Sequence, residues 1–227
     1  MIFTESLIYI HTPKTAGMSL QSFLVQHLIA EKIYLVTESK ENDLNKLKDY
    51  GRNIEWIHGG RHLNIDESME IYRTKFSTEP KIILTIIREP VEIIYSYYHH
   101  LLKPSVLKFR GMTEDNMWGD PKRARELNFN DFASKPNCFY AMSDEKLMRY
   151  YESFEDLNIE IVPLPYLNRY LCNLQYLKNE KTEMEKRNSS TKTNQVIKNK
   201  TKEIIYNNYE KFSKKYLEIE KKFRLSV

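Results

Sequence analysis

The sequence predicts an α/β protein with three layers, in which a central parallel sheet is covered by helices on both faces. Short apolar runs typical of strands alternate along the chain with segments of helical periodicity. The run Lys81–Ile87 is apolar on both alternations, as expected for a strand buried in the middle of a sheet. Because 227 residues are enough to bury a large core, we expect one domain over residues 1–227.

The elements follow from these patterns in chain order. Strands are predicted at Leu7–Ile10, Lys32–Thr37, Ile54–His58, Lys81–Ile87 and Ile159–Val162. Helical periodicity starts at Ser19 and recurs at 41–50, 66–76, 90–103, 143–155, 164–177 and 201–224. Residues 104–125 contain Pro104, Gly111, Gly119 and Pro121, which predict a long irregular insertion that could form a lid.

Composition and charge narrow the classes of partner and compartment. The net charge is only +4, although residues 178–202 hold eight Lys or Arg, a pattern that fits an anionic ligand or a solvated linker and is too weak for nucleic acid. Cys138 and Cys172 offer neither metal-ligand spacing nor a disulfide framework, so we expect a reducing, cytoplasmic compartment. No apolar run is long enough to span a bilayer. Nothing in the sequence indicates an oligomeric state.

The first motif is "IYIHTPKTAGMSLQSFL", residues 8–24, which reads as a strand, a tight loop and a helix. A loop in that position aims backbone N–H groups and the positive end of a helix dipole at one point, which suits a phosphate or sulfate. The motif is not the G-x-x-x-x-G-K-[ST] loop, because Lys14 precedes Gly17 instead of following it. The alternative is that Gly17 only permits a tight turn and Lys14 is a solvated surface lysine.

The second motif is "IIREPVEIIYSYYHHL", residues 86–101. Arg88 falls at the carboxyl end of the predicted central strand, and Pro90 suits the first turn of a helix. Ser96 follows Arg88 by two helical turns, so a guanidinium and a hydroxyl could meet one anion. The alternative is a surface pair between Arg88 and Glu89, with Ser96 as an ordinary helix residue.

Together the two motifs resemble those of sulfotransferases that use 3′-phosphoadenosine 5′-phosphosulfate (PAPS). The resemblance is to the branch of the heparan 2-O-sulfotransferases and their bacterial relatives, whose loop reads roughly His-Ile-Pro-Lys-Thr-Gly-Gly-Thr-Ser-Leu. The later pattern "NSSTKT" followed by "KEIIYNNYEKFSKKY" is similar to the carboxyl end of that family. The resemblance implies a P-loop-like sulfotransferase fold and transfer of a sulfuryl group to a hydroxyl of a small-molecule or glycan acceptor. The product would be adenosine 3′,5′-bisphosphate.

By position, the resemblance assigns roles to individual residues. Lys14 would contact the bridge between sulfate and phosphate, and Arg88 with Ser96 would bind the 3′-phosphate. The 5′-phosphate would be cradled by Thr15, Ala16, Gly17, Met18 and Ser19. The nucleotide would be covered by Ser189, Ser190, Thr191 and Lys192, unless that stretch is only a linker. No carboxylate follows the central strand in a Walker B position, so the sequence demands no Mg²⁺.

Three positions depart from the family pattern. Ala16 replaces a glycine, Met18 replaces a threonine, and Ile93 stands where the family often has arginine. These departures bear on how strongly the nucleotide binds.

Transfer to an alcohol also needs a proton acceptor, for which histidine is well suited near neutral pH. The family carries its catalytic histidine in the region that corresponds to "WIHGGRHLNIDE", residues 56–67. His62 matches the family pattern better than His58, which is the second choice for the base. Two other functions share the first motif: a kinase-like phosphotransferase and a nucleotide-binding module without catalysis.

Overall fold

The computed structural model describes residues 1–37, 51–60, 62–134, 142–153, 156–178, 184 and 196–225. By its internal contacts the chain forms two compact units. The first comprises residues 1–87, 148–188 and 219–227, and the second comprises residues 88–147 and 189–218.

The described secondary structure alternates strands and helices, which confirms the α/β class. The strands are β1 (Ile2–Phe3), β2 (Leu7–Ile10), β3 (Ile33–Thr37), β4 (Ile54–His58), β5 (Ile82–Ile87) and β6 (Ile159–Pro163). The helices are α1 (Gly17–His27), α2 (Ile65–Arg73), α3 (Pro90–Leu101), α4 (Pro104–Phe109), α5 (Gly119–Glu126), α6 (Phe129–Ala133), α7 (Asp144–Met148), α8 (Leu167–Cys172), α9 (Asn199–Asn208) and α10 (Glu210–Leu225).

The sheet of the first unit is mixed, not purely parallel. Its strand order is β4-β3-β1-β2-β5-β6. The pairs β2–β5, β3–β4 and β5–β6 are parallel, whereas β1 pairs antiparallel with both β2 and β3. The predicted parallel sheet is therefore confirmed for five strands, and the two-residue strand β1 is the exception.

Both faces of this sheet are covered by helices. On one face, Leu20 and Leu24 of α1 share a buried cluster with Tyr9 and Leu84 of the sheet. On the other face, α2 contributes to a second cluster through Ile65, Met69 and Tyr72, which lie with Ile8 and Ile83. Every residue of β2 and β5 is buried, as the apolar alternation predicts for central strands.

The direction of the strands sets where a ligand can bind. Strands β2 to β6 all run the same way, because β1 reverses twice between β2 and β3. Their carboxyl ends, at Ile10, Thr37, His58, Ile87 and Pro163, therefore lie along one edge of the sheet. In sheets of this kind, ligands bind beyond that edge.

The second unit is helical in its described part. Helix α3 begins at Pro90, as predicted, and the Glu89 side chain caps it by accepting the Glu92 N–H at 2.7 Å. Its apolar face packs Tyr95 and Tyr98 edge-on against Phe129 of α6. The amide of Asn130 ties α6 to α9, because its Oδ1 accepts from the Lys198 N–H and the Thr201 hydroxyl.

Several predicted boundaries are corrected. Residues 104–125 are irregular only over 110–118, because Pro104 occupies the first turn of α4 and Gly119, with φ of 65°, starts α5. The helix predicted over 143–155 extends only over Asp144–Met148. The helix predicted over 164–177 is a 3₁₀ turn, Leu164–Tyr166, followed by α8. The helix predicted over 41–50 lies outside the described residues.

The described helices are also too short or too polar to cross a membrane.

Asn64 caps α2 and offers a direct test of how this helix is held. Its Oδ1 accepts the Glu67 N–H, and Glu67 Oε2 accepts the Asn64 N–H, both at 2.8 Å. This reciprocal capping box satisfies two N–H groups at the helix start. We expect Asn64→Ala to lower the free energy of unfolding by about 1 kcal/mol, measured by urea denaturation.

The exposed Asn207 of α9 is the matched control, because Asn207→Ala replaces a weak helix former with a strong one. Equal stability of the Asn64→Ala and Asn207→Ala proteins would show that the capping box contributes nothing.

Candidate functional site

The loop between β2 and α1 is turned by two non-glycine residues in the left-handed region. Lys14 has φ of 63° and Ala16 has φ of 64°. Such values cost an L-residue about 1 kcal/mol or more, so the surrounding structure must impose them. A glycine at position 16 would adopt this φ without that cost.

The start of α1 leaves backbone donors for a ligand. Ala16 precedes the helix, and its carbonyl accepts the N–H groups of Ser19 at 3.0 Å and Leu20 at 3.1 Å. Its methyl side chain is unable to cap the helix. The N–H groups of Gly17 and Met18 lie in the first turn, where no intrahelical acceptor exists. This arrangement of left-handed residue and helix start is typical of anion-binding nests.

The absence of a side chain at Gly17 is required by its neighbour. The ring of His11, which is buried, lies directly over this Cα. A Cβ built on Gly17 would lie 1.8 Å from His11 Cδ2 and 1.9 Å from Nε2. Gly17 therefore lets the end of β2 and the start of α1 approach closely.

A buried set of hydroxyl groups stabilises the loop between β2 and α1. The Thr15 hydroxyl donates to the Thr12 carbonyl at 2.9 Å, and the hydroxyls of Thr12 and Thr85 are 2.9 Å apart. Tyr151 is buried, and its hydroxyl donates to the carbonyl of Ile86 at 3.0 Å and lies against Thr12. Sequence analysis missed this set, because Thr85 and Tyr151 lie 73 and more residues from Thr12.

His62 lies next to the loop. Its Nδ1 is 2.9 Å from the carbonyl oxygen of His11, and the two imidazole rings have centroids 4.8 Å apart. A carbonyl oxygen only accepts hydrogen bonds, so Nδ1 must carry the proton. In neutral His62 the lone pair is then on Nε2, which is the tautomer that a general base requires.

The backbone of His62 is held by the segment that follows α7. The Tyr150 hydroxyl donates to the His62 carbonyl at 3.1 Å, and burial raises the pKa of this phenol to about 12, so it stays a donor. Next to it, Ser153 donates to Asp66 at 3.0 Å, and Arg149 pairs with Glu67 at 3.3 Å. The adjacent tyrosines 150 and 151 thus hold His62 and the end of β5.

His58, the second candidate base, ends the edge strand β4 and is exposed. Strands β3 and β1 separate β4 from β2, a distance of about 14 Å at the usual strand spacing. The structure therefore brings His62 to Lys14's loop and leaves His58 at the edge.

In the second unit, Arg88 pairs with Glu92. Its guanidinium is 2.8 Å from Glu92 Oε2, and its side chain is 17% exposed. Glu89 is occupied with the helix cap and accepts from the Tyr206 hydroxyl. Ser96 is half-buried and lies one turn beyond Glu92 in α3, whereas Arg88 precedes the helix.

The remaining predicted residues divide into two groups. Within the described chain, Thr15 and Ser19 are buried, Met18 is half-buried, and Ile93 is fully buried in α3, where it packs. The cover predicted from Ser189, Ser190, Thr191 and Lys192 lies outside the described residues. No group of three or more His, Cys, Asp or Glu in the described part of the chain is arranged to hold a metal ion.

The close contact between His11 and Gly17 can be tested by adding one methyl group. We expect Gly17→Ala to displace the buried His11 ring and to lower the free energy of unfolding by about 1 to 3 kcal/mol, measured by urea denaturation. The double variant His11→Ala/Gly17→Ala removes the ring and should recover part of the loss. Gly60→Ala is the matched control, because its Cβ would meet only the flexible end of Leu63 at 3.0 Å. Equal effects of the two glycine substitutions would contradict this account.

In comparisons with known proteins, no family model, no curated protein and no solved structure matches the chain.

Proposed function

We propose that the protein is a sulfotransferase that moves the sulfuryl group of PAPS to a hydroxyl of a carbohydrate acceptor, within a P-loop-like sulfotransferase fold. One observation carries the proposal: next to the loop that contains Lys14, the His11 carbonyl holds His62 in the tautomer that a general base requires. The two sequence motifs that resemble this family support the same reaction.

The loop supplies the groups that a phosphosulfate needs. The N–H groups at the start of α1 and the helix dipole favour a doubly charged anion at that point. Lys14 lies within the loop, where its ammonium group stabilises the bridging oxygen as that oxygen gains charge. Since this contact strengthens in the transition state, it accelerates transfer more than it tightens binding.

His62 completes the reaction by taking a proton. The acceptor oxygen forms a bond to sulfur while the bond from sulfur to the bridging oxygen breaks. The bonding pair stays on the bridging oxygen of the departing adenosine 3′,5′-bisphosphate, beside Lys14. The hydroxyl proton passes to Nε2 of His62, whose Nδ1–H remains on the His11 carbonyl and keeps the ring oriented.

The kinase-like alternative has less support. Its nucleotide loop places lysine after the last glycine, next to the β- and γ-phosphates, whereas Lys14 precedes Gly17 by three residues. The non-catalytic alternative predicts nucleotide binding without turnover, which an assay of sulfuryl transfer distinguishes.

Nucleotide binding tests the proposal first. We expect adenosine 3′,5′-bisphosphate to raise the melting temperature more than adenosine 5′-monophosphate or ATP with Mg²⁺. Only the bisphosphate carries a 3′-phosphate in addition to its 5′-phosphate. The resemblance assigns the 3′-phosphate to Arg88, so Arg88→Gln should reduce the shift to that of the monophosphate. A larger shift with ATP and Mg²⁺ would favour a kinase, and equal shifts from all three would refute the role of Arg88.

The base is tested by turnover. We expect His62→Ala to lower sulfuryl transfer by about 10²- to 10⁴-fold, the usual effect of a positioned base, with nucleotide binding close to wild type. The acidic limb of the pH–rate profile should vanish in this variant. His58→Ala is the matched control, since it removes an exposed imidazole from the same segment. If His58→Ala loses activity and His62→Ala keeps it, the assignment of the base is wrong.

A further inference from the structure

His62 is exposed, yet both its ring and its backbone are held by hydrogen bonds. Its ring Nδ1 donates to the His11 carbonyl at 2.9 Å, and its own carbonyl accepts from the Tyr150 hydroxyl at 3.1 Å. An exposed side chain ordinarily exchanges rotamers within nanoseconds. Because two torsions connect the backbone of a histidine to its ring, fixing the carbonyl and Nδ1 together sets the direction of Nε2.

The chain before His62 contributes little stiffness of its own. Gly59 and Gly60 precede it by three and two residues, and glycine restricts the backbone less than any other residue. After His62, the capping box of α2 begins at Asn64. The local structure therefore fixes the chain after His62 more firmly than the chain before it. A hydrogen bond from another segment to the His62 carbonyl compensates for this difference.

Tyr150 is well placed to supply that hydrogen bond. Its ring packs against the second buried cluster, which α2 forms with the sheet, so the phenol is anchored while its hydroxyl reaches His62. Burial raises the pKa of Tyr150 to about 12, so the hydroxyl remains a donor wherever a histidine titrates. In the same segment, Ser153 donates to Asp66 instead.

We propose that Tyr150 is a positioning residue for the sulfuryl transfer, which it supports by holding the His62 carbonyl so that Nε2 faces the acceptor hydroxyl. This inference rests on the function proposed above. Tyr150 acts through His62 and carries no proton in the reaction. The loop that binds the nucleotide is built from other residues, so removal of the Tyr150 hydroxyl affects the transfer step and leaves nucleotide binding unchanged.

The first test is the kinetics of Tyr150→Phe, which keeps the packed ring and removes the hydroxyl. We expect kcat to fall about threefold to tenfold, the value of one hydrogen bond, with the KM for PAPS unchanged. The acidic limb of the pH–rate profile should remain, because His62 is still the base. A wild-type kcat, or a change in KM instead of kcat, overturns the proposal.

Two controls separate positioning from a general loss of stability. Tyr72→Phe makes the same substitution at another tyrosine of the first unit, whose hydroxyl donates to the Glu5 carbonyl at 2.7 Å. Ser153→Ala removes the hydrogen bond to Asp66 from the segment that contains Tyr150. Both variants should keep the wild-type kcat. If either loses as much kcat as Tyr150→Phe, the role assigned to Tyr150 is wrong.

Nuclear magnetic resonance of the His62 ring tests the contact without any turnover. The nitrogen chemical shifts of an imidazole report its tautomer, and comparison with His62→Ala assigns them. We expect the Nδ1–H tautomer in the wild type and in Tyr72→Phe, and a mixture of both tautomers in Tyr150→Phe. The same single tautomer in Tyr150→Phe refutes the role of Tyr150 whatever the activity. This tautomer change in a protein without sulfuryl transfer refutes the proposed function instead, and leaves Tyr150 as the residue that orients His62.

Discussion

The close approach of the His11 ring to Gly17 is the constraint on which the candidate site depends. It brings the end of β2 against the first turn of α1, and the chain between them must reverse within six residues. That reversal is what forces Lys14 and Ala16 into the left-handed region. The same turn leaves the first N–H groups of α1 for a ligand and exposes the His11 carbonyl to His62. A larger residue at position 17 would disturb all of these features together.

The strands were predictable because each central one is a short apolar run. The observed bounds of β2 and β4 are those predicted, Leu7–Ile10 and Ile54–His58. Strand β5 begins at Ile82, one residue after the predicted start at Lys81. Strand β1 was missed because two residues carry no periodicity, and its antiparallel pairing depends on partners elsewhere in the chain. The helices within 104–125 were missed for another reason. Pro and Gly disfavour the interior of a helix but are tolerated at its start, which is where Pro104 and Gly119 lie.

The candidate site was predictable only where its residues are local in sequence. The order of Lys14, Gly17 and Ser19 indicates a loop that opens a helix, and the structure places them so. The choice between His62 and His58 was not settled by the segment alone, because it depends on a contact with His11, 51 residues away. The sequence left two interpretations of Arg88 open, an anion-binding residue and a surface pair with Glu89. Helical geometry instead favours the i, i+4 pair with Glu92 and leaves Glu89 to cap α3.

The two-residue strand β1 has a consequence for the motions of the first unit. In the described strands, backbone pairing between the β3–β4 half and the β2–β5–β6 half passes through β1 and the residues next to it, Met1 and Thr4. The pairing through β1 has fewer ladder hydrogen bonds than the β3–β4 and β2–β5 pairs. Separation of the two halves at β1 is therefore the opening that breaks the fewest ladder hydrogen bonds. The chain that follows β4 leads to His62, and the chain that follows β2 leads to Lys14. Hydrogen exchange along β3 would therefore report on how long the base and the loop stay together.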